Sequence, residues 1–124
     1  MEKTIKIDGR DILFRATAAV PRLYRIKFGR DIMQDMKTIR DDIEAAKNGE
    51  RQMPVKTLEV FENVAYLMAK HADPSLKAKS PEEWLDGFNT FSIYAVFPQI
   101  LELWVANNET LSAPKKKVTR STGR

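Results

Sequence analysis

The side chains that could perform acid-base or nucleophilic chemistry are few in this sequence. His71 is the only histidine and there is no cysteine, so a Ser-His-Asp relay, a multi-histidine metal site and a catalytic thiol each lack a necessary group. Near the end of a predicted helix, His71 is expected to interact with the last carbonyls. Adjacent carboxylates such as Asp41 and Asp42 point about 100° apart on a helix and do not share a site. We therefore expect a binding protein without a cofactor, and not an enzyme.

The excess positive charge is confined to the C-terminal end of the chain. Of the 21 basic and 17 acidic residues, five basic and one acidic lie in 109–124, so residues 1–108 hold 16 of each and are neutral. A nucleic-acid-binding domain usually gathers its basic residues on one folded face, so nucleic acid is not the expected partner. We predict a helical domain over residues 1–108 and a disordered basic tail over 109–124, because the tail has too few apolar residues to offset the entropy of ordering.

The sequence indicates a cytoplasmic location and no membrane partner. The absence of cysteine suits a reducing compartment. The first residues do not have the basic and apolar regions of a signal peptide, and no apolar run approaches the roughly 20 residues of a membrane span.

A short β-hairpin is predicted at the N-terminus, over residues 4–14. Ile5 and Ile7 alternate with a polar residue, and Asp8-Gly9 supplies turn chemistry. The expected fold is mainly α: this hairpin, then about five helices in one compact bundle, then the disordered tail.

Five segments have helical signals. They are Pro21 to Gly29, Asp31 to Asn48, Pro54 to His71, the segment that starts at Ser80 and Pro81, and Phe91 to Asn107, in which Pro98 is expected to kink or restart the helix. The second is the clearest, because its apolar residues are spaced 4, 3 and 4. The charged residues of that helix are expected on a solvated surface: Asp35, Lys37, Arg40, Asp41, Asp42 and Glu44.

Aromatic residues are concentrated in the C-terminal third of the chain. The six are Trp84, Phe88, Phe91, Tyr94, Phe97 and Trp104. Aromatics at helical spacing form a core more often than a site, but the same residues could line an exposed groove for an amphipathic helix of a partner. A helix that is apolar on more than one face must bury the second face on something, and homo-oligomerisation would satisfy that demand equally well. These six residues are the candidate partner-binding residues.

Several short runs follow one another in a recognisable order along residues 1 to 108. The runs are Phe14-Arg15-Ala16-Thr17, Pro21-Arg22-Leu23-Tyr24-Arg25, Lys27-Phe28-Gly29-Arg30-Asp31-Ile32, Ala65-Tyr66-Leu67-Met68-Ala69-Lys70, Asp73-Pro74, Glu83-Trp84-Leu85 with Phe88, and Ile100-Leu101-Glu102-Leu103-Trp104. In this order they resemble the tail assembly chaperones of long-tailed phages and prophages of Gram-positive bacteria. They are packing and capping patterns and carry no chemical signature.

The resemblance implies a function in the host bacterial cytoplasm. Such a protein transiently binds the long helical tape-measure protein, promotes tail tube assembly around it, and is expected to be absent from the mature virion. The family also implies a longer, frameshifted form that recruits the tail-tube protein. An A-rich run can encode Lys115-Lys116-Lys117, and we place the ribosomal frameshift at or near these codons as a hypothesis.

Two other classes stay open at this stage. A small DNA-binding or regulatory protein would use the basic tail as a phosphate-binding arm. A structural tail adaptor would instead persist in the finished particle.

Overall fold

The chain begins with a two-stranded antiparallel hairpin in the computed structural model, which describes the backbone of residues 1–112 and the side chains of residues 1–108. Strand β1 (Glu2–Ile7) pairs with β2 (Arg10–Arg15). Asp8 and Gly9 connect the strands with φ of 54° and 77°. A two-residue turn whose twist matches that of the strands requires positive φ at both of its residues. The predicted hairpin is confirmed.

Five helices follow the hairpin within the described residues. They are α1 (Val20–Phe28), α2 (Ile32–Lys47), α3 (Val55–Ala72), α4 (Pro81–Leu85) and α5 (Ile93–Ser112). The predicted mainly α fold is confirmed. Helix α5 continues through Pro98 and does not restart there, and it also passes the predicted domain end at 108. The tail predicted for 109–124 falls largely on residues 113–124, which lie outside the described residues.

Local capping residues explain where several helices begin and end. The Asp31 carboxylate accepts the backbone N–H of Met33 (2.9 Å) at the start of α2, and Ser80 accepts that of Glu83 (3.2 Å) in α4. The Glu83 carboxylate reaches back to the N–H of Lys79 (2.8 Å), one residue before the cap. Gly29 ends α1 with a φ of 67°, a conformation that costs glycine little.

Helix α3 is the central element of the fold. It packs against β2, α1, α2, α4 and α5, and nine of its side chains are buried. The hairpin also contacts α5 through β1. One core runs through all of these elements and includes Phe14, Tyr24, Ile39, Phe61 and Ile100, each at most 1% exposed.

Asp35 of α2 is buried, although the sequence predicted it on the solvated face. It is 4% exposed, and its Oδ2 accepts the Tyr24 hydroxyl at 2.7 Å. The Arg30 guanidinium donates to both carboxylate oxygens at 2.8 Å. Burial alone would raise the pKa of Asp35, but the hydrogen bonds from Arg30 and Tyr24 outweigh it and the pKa is lowered. This carboxylate fastens α1 to α2.

Asp42 is buried in the same way, at 6% exposure, which also corrects the prediction. The Thr57 hydroxyl of α3 donates to its Oδ2. Nη1 of Arg51, in the connection before α3, lies 2.6 Å from Oδ1 of Asp42. The second carboxylate therefore fastens α2 to α3.

None of the helices within the described part of the chain has the length and apolar character that a membrane crossing requires.

Candidate partner-binding surface

The structure divides the six aromatic residues predicted to bind a partner. Trp84, Phe97 and Trp104 are buried, with at most 6% of each exposed. Phe88 and Phe91 are half-buried against the core, and Tyr94 is 46% exposed. The first three belong to the core of the free chain, and at most 6% of each could touch a partner. Tyr94 is the most accessible of the six.

Trp84 lies at the centre of an aromatic cluster that holds the hairpin and α4 against α3. Its ring lies 6.2 Å from Phe14 and 6.0 Å from Tyr66, measured between centroids. Phe88 and Phe91 pack edge-on against it at 5.2 and 5.3 Å, a favourable geometry for aromatic pairs. The cluster is thus a structural joint between distant parts of the chain.

The outer side of this cluster is closed by a cation. The Arg10 guanidinium lies 4.4 Å from the centroid of the Phe88 ring, and its Nη2 donates to the Gly87 carbonyl at 2.7 Å. A guanidinium over an aromatic face is attractive and occupies the surface that a partner would need. The region around Phe88 therefore offers little open apolar area.

A different apolar stripe remains accessible on the outer face of α5. Tyr94, Pro98, Leu101 and Val105 are spaced 4, 3 and 4, which places them on one side of the helix. Tyr94 and Val105 are each 46% exposed, Pro98 is exposed and Leu101 is half-buried. Pro98 has no N–H for the Tyr94 carbonyl, and because this face is open, water can satisfy that carbonyl. We call these four residues the α5 stripe.

A shallow groove of about 340 Å³ adjoins this stripe, between α2 and α5. Its lining, which defines the α2–α5 groove, is Met33, Met36, Lys37, Arg40, Leu101, Trp104, Val105 and Asn108. Met33 is 56% exposed. Trp104, although buried, forms part of the floor. The groove and the stripe together make a continuous apolar surface.

Two cations lie on the α2 side of this groove. Lys37 Nζ is 3.1 Å from Asp41 Oδ2, and Arg40 Nε is 3.7 Å from Asp41 Oδ1. Both basic side chains share one carboxylate, so the rim keeps a net positive charge. The hydrogen bond from Lys37 is the main reason that the pKa of Asp41 is lowered.

Sequence reasoning did not identify Met33 or Val105 as binding candidates. A signal was present for Val105, because it continues the 4, 3, 4 spacing from Tyr94 on a helix that is apolar on more than one face. Met33 had none, since it lies next to the apolar stripe of α2 and its exposure depends on where α5 packs.

His71 pairs with a side chain from another part of the fold. The sequence had predicted that it would interact with the last carbonyls of its own helix. Its Nε2 lies 2.8 Å from the hydroxyl of Thr17, which joins the end of α3 to the segment after β2. Burial lowers the pKa of His71, and the nearby Arg15 and N-terminal ammonium lower it further. Among the described residues, no three His, Asp or Glu side chains converge in a group that could hold a metal ion.

Comparison with models of protein families, with characterised proteins and with solved structures finds no match for this chain.

Proposed function

We propose that this chain is a phage tail assembly chaperone, which transiently binds the tape-measure protein in the host bacterial cytoplasm and promotes tail tube assembly around it. The observation that carries the proposal is the continuous apolar surface made by the α5 stripe and the α2–α5 groove. An apolar stripe at helical spacing beside a groove is the form of surface that receives an amphipathic helix. The resemblance in the order of short sequence runs supplies the identity of the client.

The composition of the groove suits a client with many similar but unequal helical segments. Met33, which is 56% exposed, has a flexible, polarisable side chain that adapts to different partners. Lys37 and Arg40 on the rim favour helices whose apolar stripe is flanked by carboxylates. A small groove with adaptable contacts favours weak and reversible binding, as a chaperone that leaves the finished tail requires.

Substitutions at exposed positions test this surface without disturbing the core. Met33→Glu and Val105→Glu each place a carboxylate on the apolar surface, and we expect each to reduce co-purification with the tape-measure protein at least tenfold. Ile26→Glu is the matched control, because Ile26 is 69% exposed on α1 and does not line the groove. Equal retention of the client by all three variants would overturn the proposed surface.

The alternative classes make different predictions in the same system. A chaperone is absent from purified virions, whereas a structural adaptor would be detected there by mass spectrometry at a fixed copy number. A DNA-binding protein would bind duplex DNA in a salt-dependent way and lose that binding on removal of residues 110–124.

We further propose that a longer frameshifted form recruits the tail-tube protein, with the slip at or near the codons of Lys115-Lys116-Lys117. The nucleotide sequence tests this directly. A slippery A-rich run followed by an overlapping frame supports it, and an overlapping frame without such a run contradicts it.

A further inference from the structure

A second groove, of about 560 Å³, lies between α3 and α4 and is separate from the α2–α5 groove. Its apolar lining includes Val55, Leu58 and Leu85. Val55 is 81% exposed, the largest exposed fraction among the large apolar side chains described. Such a side chain at the edge of a groove is an apolar surface that the described residues leave uncovered.

Three carboxylates surround this apolar floor: Glu59, Glu62 and Glu82. Glu59 has an ion pair with Lys56 at 2.9 Å. Within the described part of the chain, neither Glu62 nor Glu82 has an ion pair or a side-chain hydrogen bond. Burial raises the pKa of Glu62, and the negative charges of Glu59 and Glu82 raise it further. The groove therefore holds a half-buried carboxylate beside like charges, which a cation would stabilise.

The chain itself contains a segment with the complementary charge. Residues 113–124 carry five basic side chains and no acidic one, with Val118 among them as an apolar side chain. Twelve extended residues span about 40 Å, and a domain of this size has a radius of gyration of about 13 Å. An extended segment of this length reaches surfaces within about 40 Å of the end of α5.

Charge then decides between the two grooves. The α2–α5 groove has Lys37 and Arg40 on its rim, which repel a basic segment. The groove between α3 and α4 has Glu59, Glu62 and Glu82, and attracts it. We propose that residues 113–124 dock in the groove between α3 and α4, with lysine and arginine side chains of the segment against these three carboxylates and Val118 over the apolar floor. This docking is independent of the proposed chaperone function.

The absence of cysteine makes a clean test feasible in the full chain. A nitroxide attached through Thr122→Cys occupies a single site, and its broadening of methyl signals reports which face the segment visits. In 0.1 M NaCl we expect the methyl signals of Val55, Leu58 and Leu85 to lose at least half of their intensity relative to the reduced label. In 1 M NaCl the intensities should recover, because the screening length falls from about 10 Å to about 3 Å.

Charge-neutralising substitutions test the carboxylates. The triple variant Glu59→Gln, Glu62→Gln and Glu82→Gln should abolish the broadening at low salt. A matched variant with Glu2→Gln, Glu44→Gln and Glu50→Gln removes the same charge from exposed positions outside this groove and should retain it. The proposal would be overturned if the triple variant kept the same broadening as the unsubstituted chain at low salt. Broadening centred on Met33 and Leu101 would also overturn it.

Mixing separates docking within one chain from docking between chains. Isotope-labelled protein without the nitroxide is combined with unlabelled protein that carries it. The proposal expects no broadening in this mixture. Broadening as strong as in the sample whose chains carry both the isotopes and the nitroxide would show that the segment docks on a second copy. That result would overturn docking within the chain.

Discussion

Replacement of Asp35 by alanine tests whether the buried carboxylate fastens α1 to α2. The substitution removes the acceptor of three hydrogen bonds, one from the buried Tyr24 hydroxyl and two from Arg30. Tyr24 is fully buried, so leaving its hydroxyl without a hydrogen-bond partner costs about 1–3 kcal/mol. The Arg30 side chain is 40% exposed and can be solvated, so its lost pairing adds only about 1 kcal/mol. We expect the free energy of unfolding to fall by about 2–4 kcal/mol.

Urea unfolding followed by circular dichroism measures this loss at pH 7. The free energy of unfolding of a domain of this size is about 5–15 kcal/mol, so the expected loss is a large fraction of the total stability. Asp41→Ala, at a position on the same helix whose side chain is 45% exposed, is the control and should leave the free energy of unfolding unchanged within error. Equal losses for Asp35→Ala and Asp41→Ala would refute the assigned role of Asp35.

The pH dependence gives an independent check on the same carboxylate. Because the pKa of Asp35 is lowered in the folded chain, its stabilising contribution is present above its unfolded pKa of about 3.9. That contribution is lost as the pH falls through the folded pKa. The gap in stability between the wild-type chain and Asp35→Asn should therefore narrow below about pH 4, and a gap that widens would contradict the lowered pKa.

Three further predictions concern other parts of the fold. Trp84→Ala should lower the free energy of unfolding by about 3–5 kcal/mol and Tyr94→Ala by no more than about 0.5 kcal/mol; equal losses in chemical unfolding would contradict the division into buried and exposed aromatics. Thr57→Val should cost about 1–3 kcal/mol by removing the hydrogen bond to buried Asp42, and an unchanged thermal midpoint would count against that bond. Because the pKa of His71 is lowered in the folded chain, the wild-type should lose stability as the pH falls from about 6.5 through the folded pKa. In a pH series of unfolding measurements His71→Gln should lack this slope, and identical slopes would show that another group causes it.

The hairpin and the helices were predictable because their signals are local. Asp8-Gly9 fixes the turn, and the capping residues Gly29, Asp31 and Ser80 mark helix ends within a few residues. The predicted kink or restart at Pro98 was the exception, since α5 runs through this residue. A proline inside a helix is tolerated when the carbonyl that it leaves without an N–H partner faces solvent.

The burial of Asp35 and Asp42 was missed although part of the signal was present. Asp35 follows Ile32 by three residues and precedes Ile39 by four, so it lies on the apolar stripe itself. Charge alone suggested a solvated position. The partners that make burial tolerable, Tyr24 and Thr57, come from α1 and α3, and the pattern of α2 contains no information about them.

The division of the aromatic residues depends on contacts between distant parts of the chain. Trp84 is buried by Phe14 of β2 and Tyr66 of α3, so its environment is set by tertiary packing. Tyr94 faces outward on the same helix that buries Phe97. Spacing can predict that α5 has two apolar faces, but only the packed structure shows which one remains open.

Site-specific photo-crosslinking from the α2–α5 groove tests the proposed chaperone function most directly. A benzoylphenylalanine in place of Val105 is irradiated in host cells that produce the tape-measure protein, with the same probe in place of Ile26 as the control. We expect a crosslink from position 105 to the tape-measure protein and none from position 26. Crosslinks from position 105 only to other copies of this chain, or no crosslink to the tape-measure protein, would contradict the proposed function.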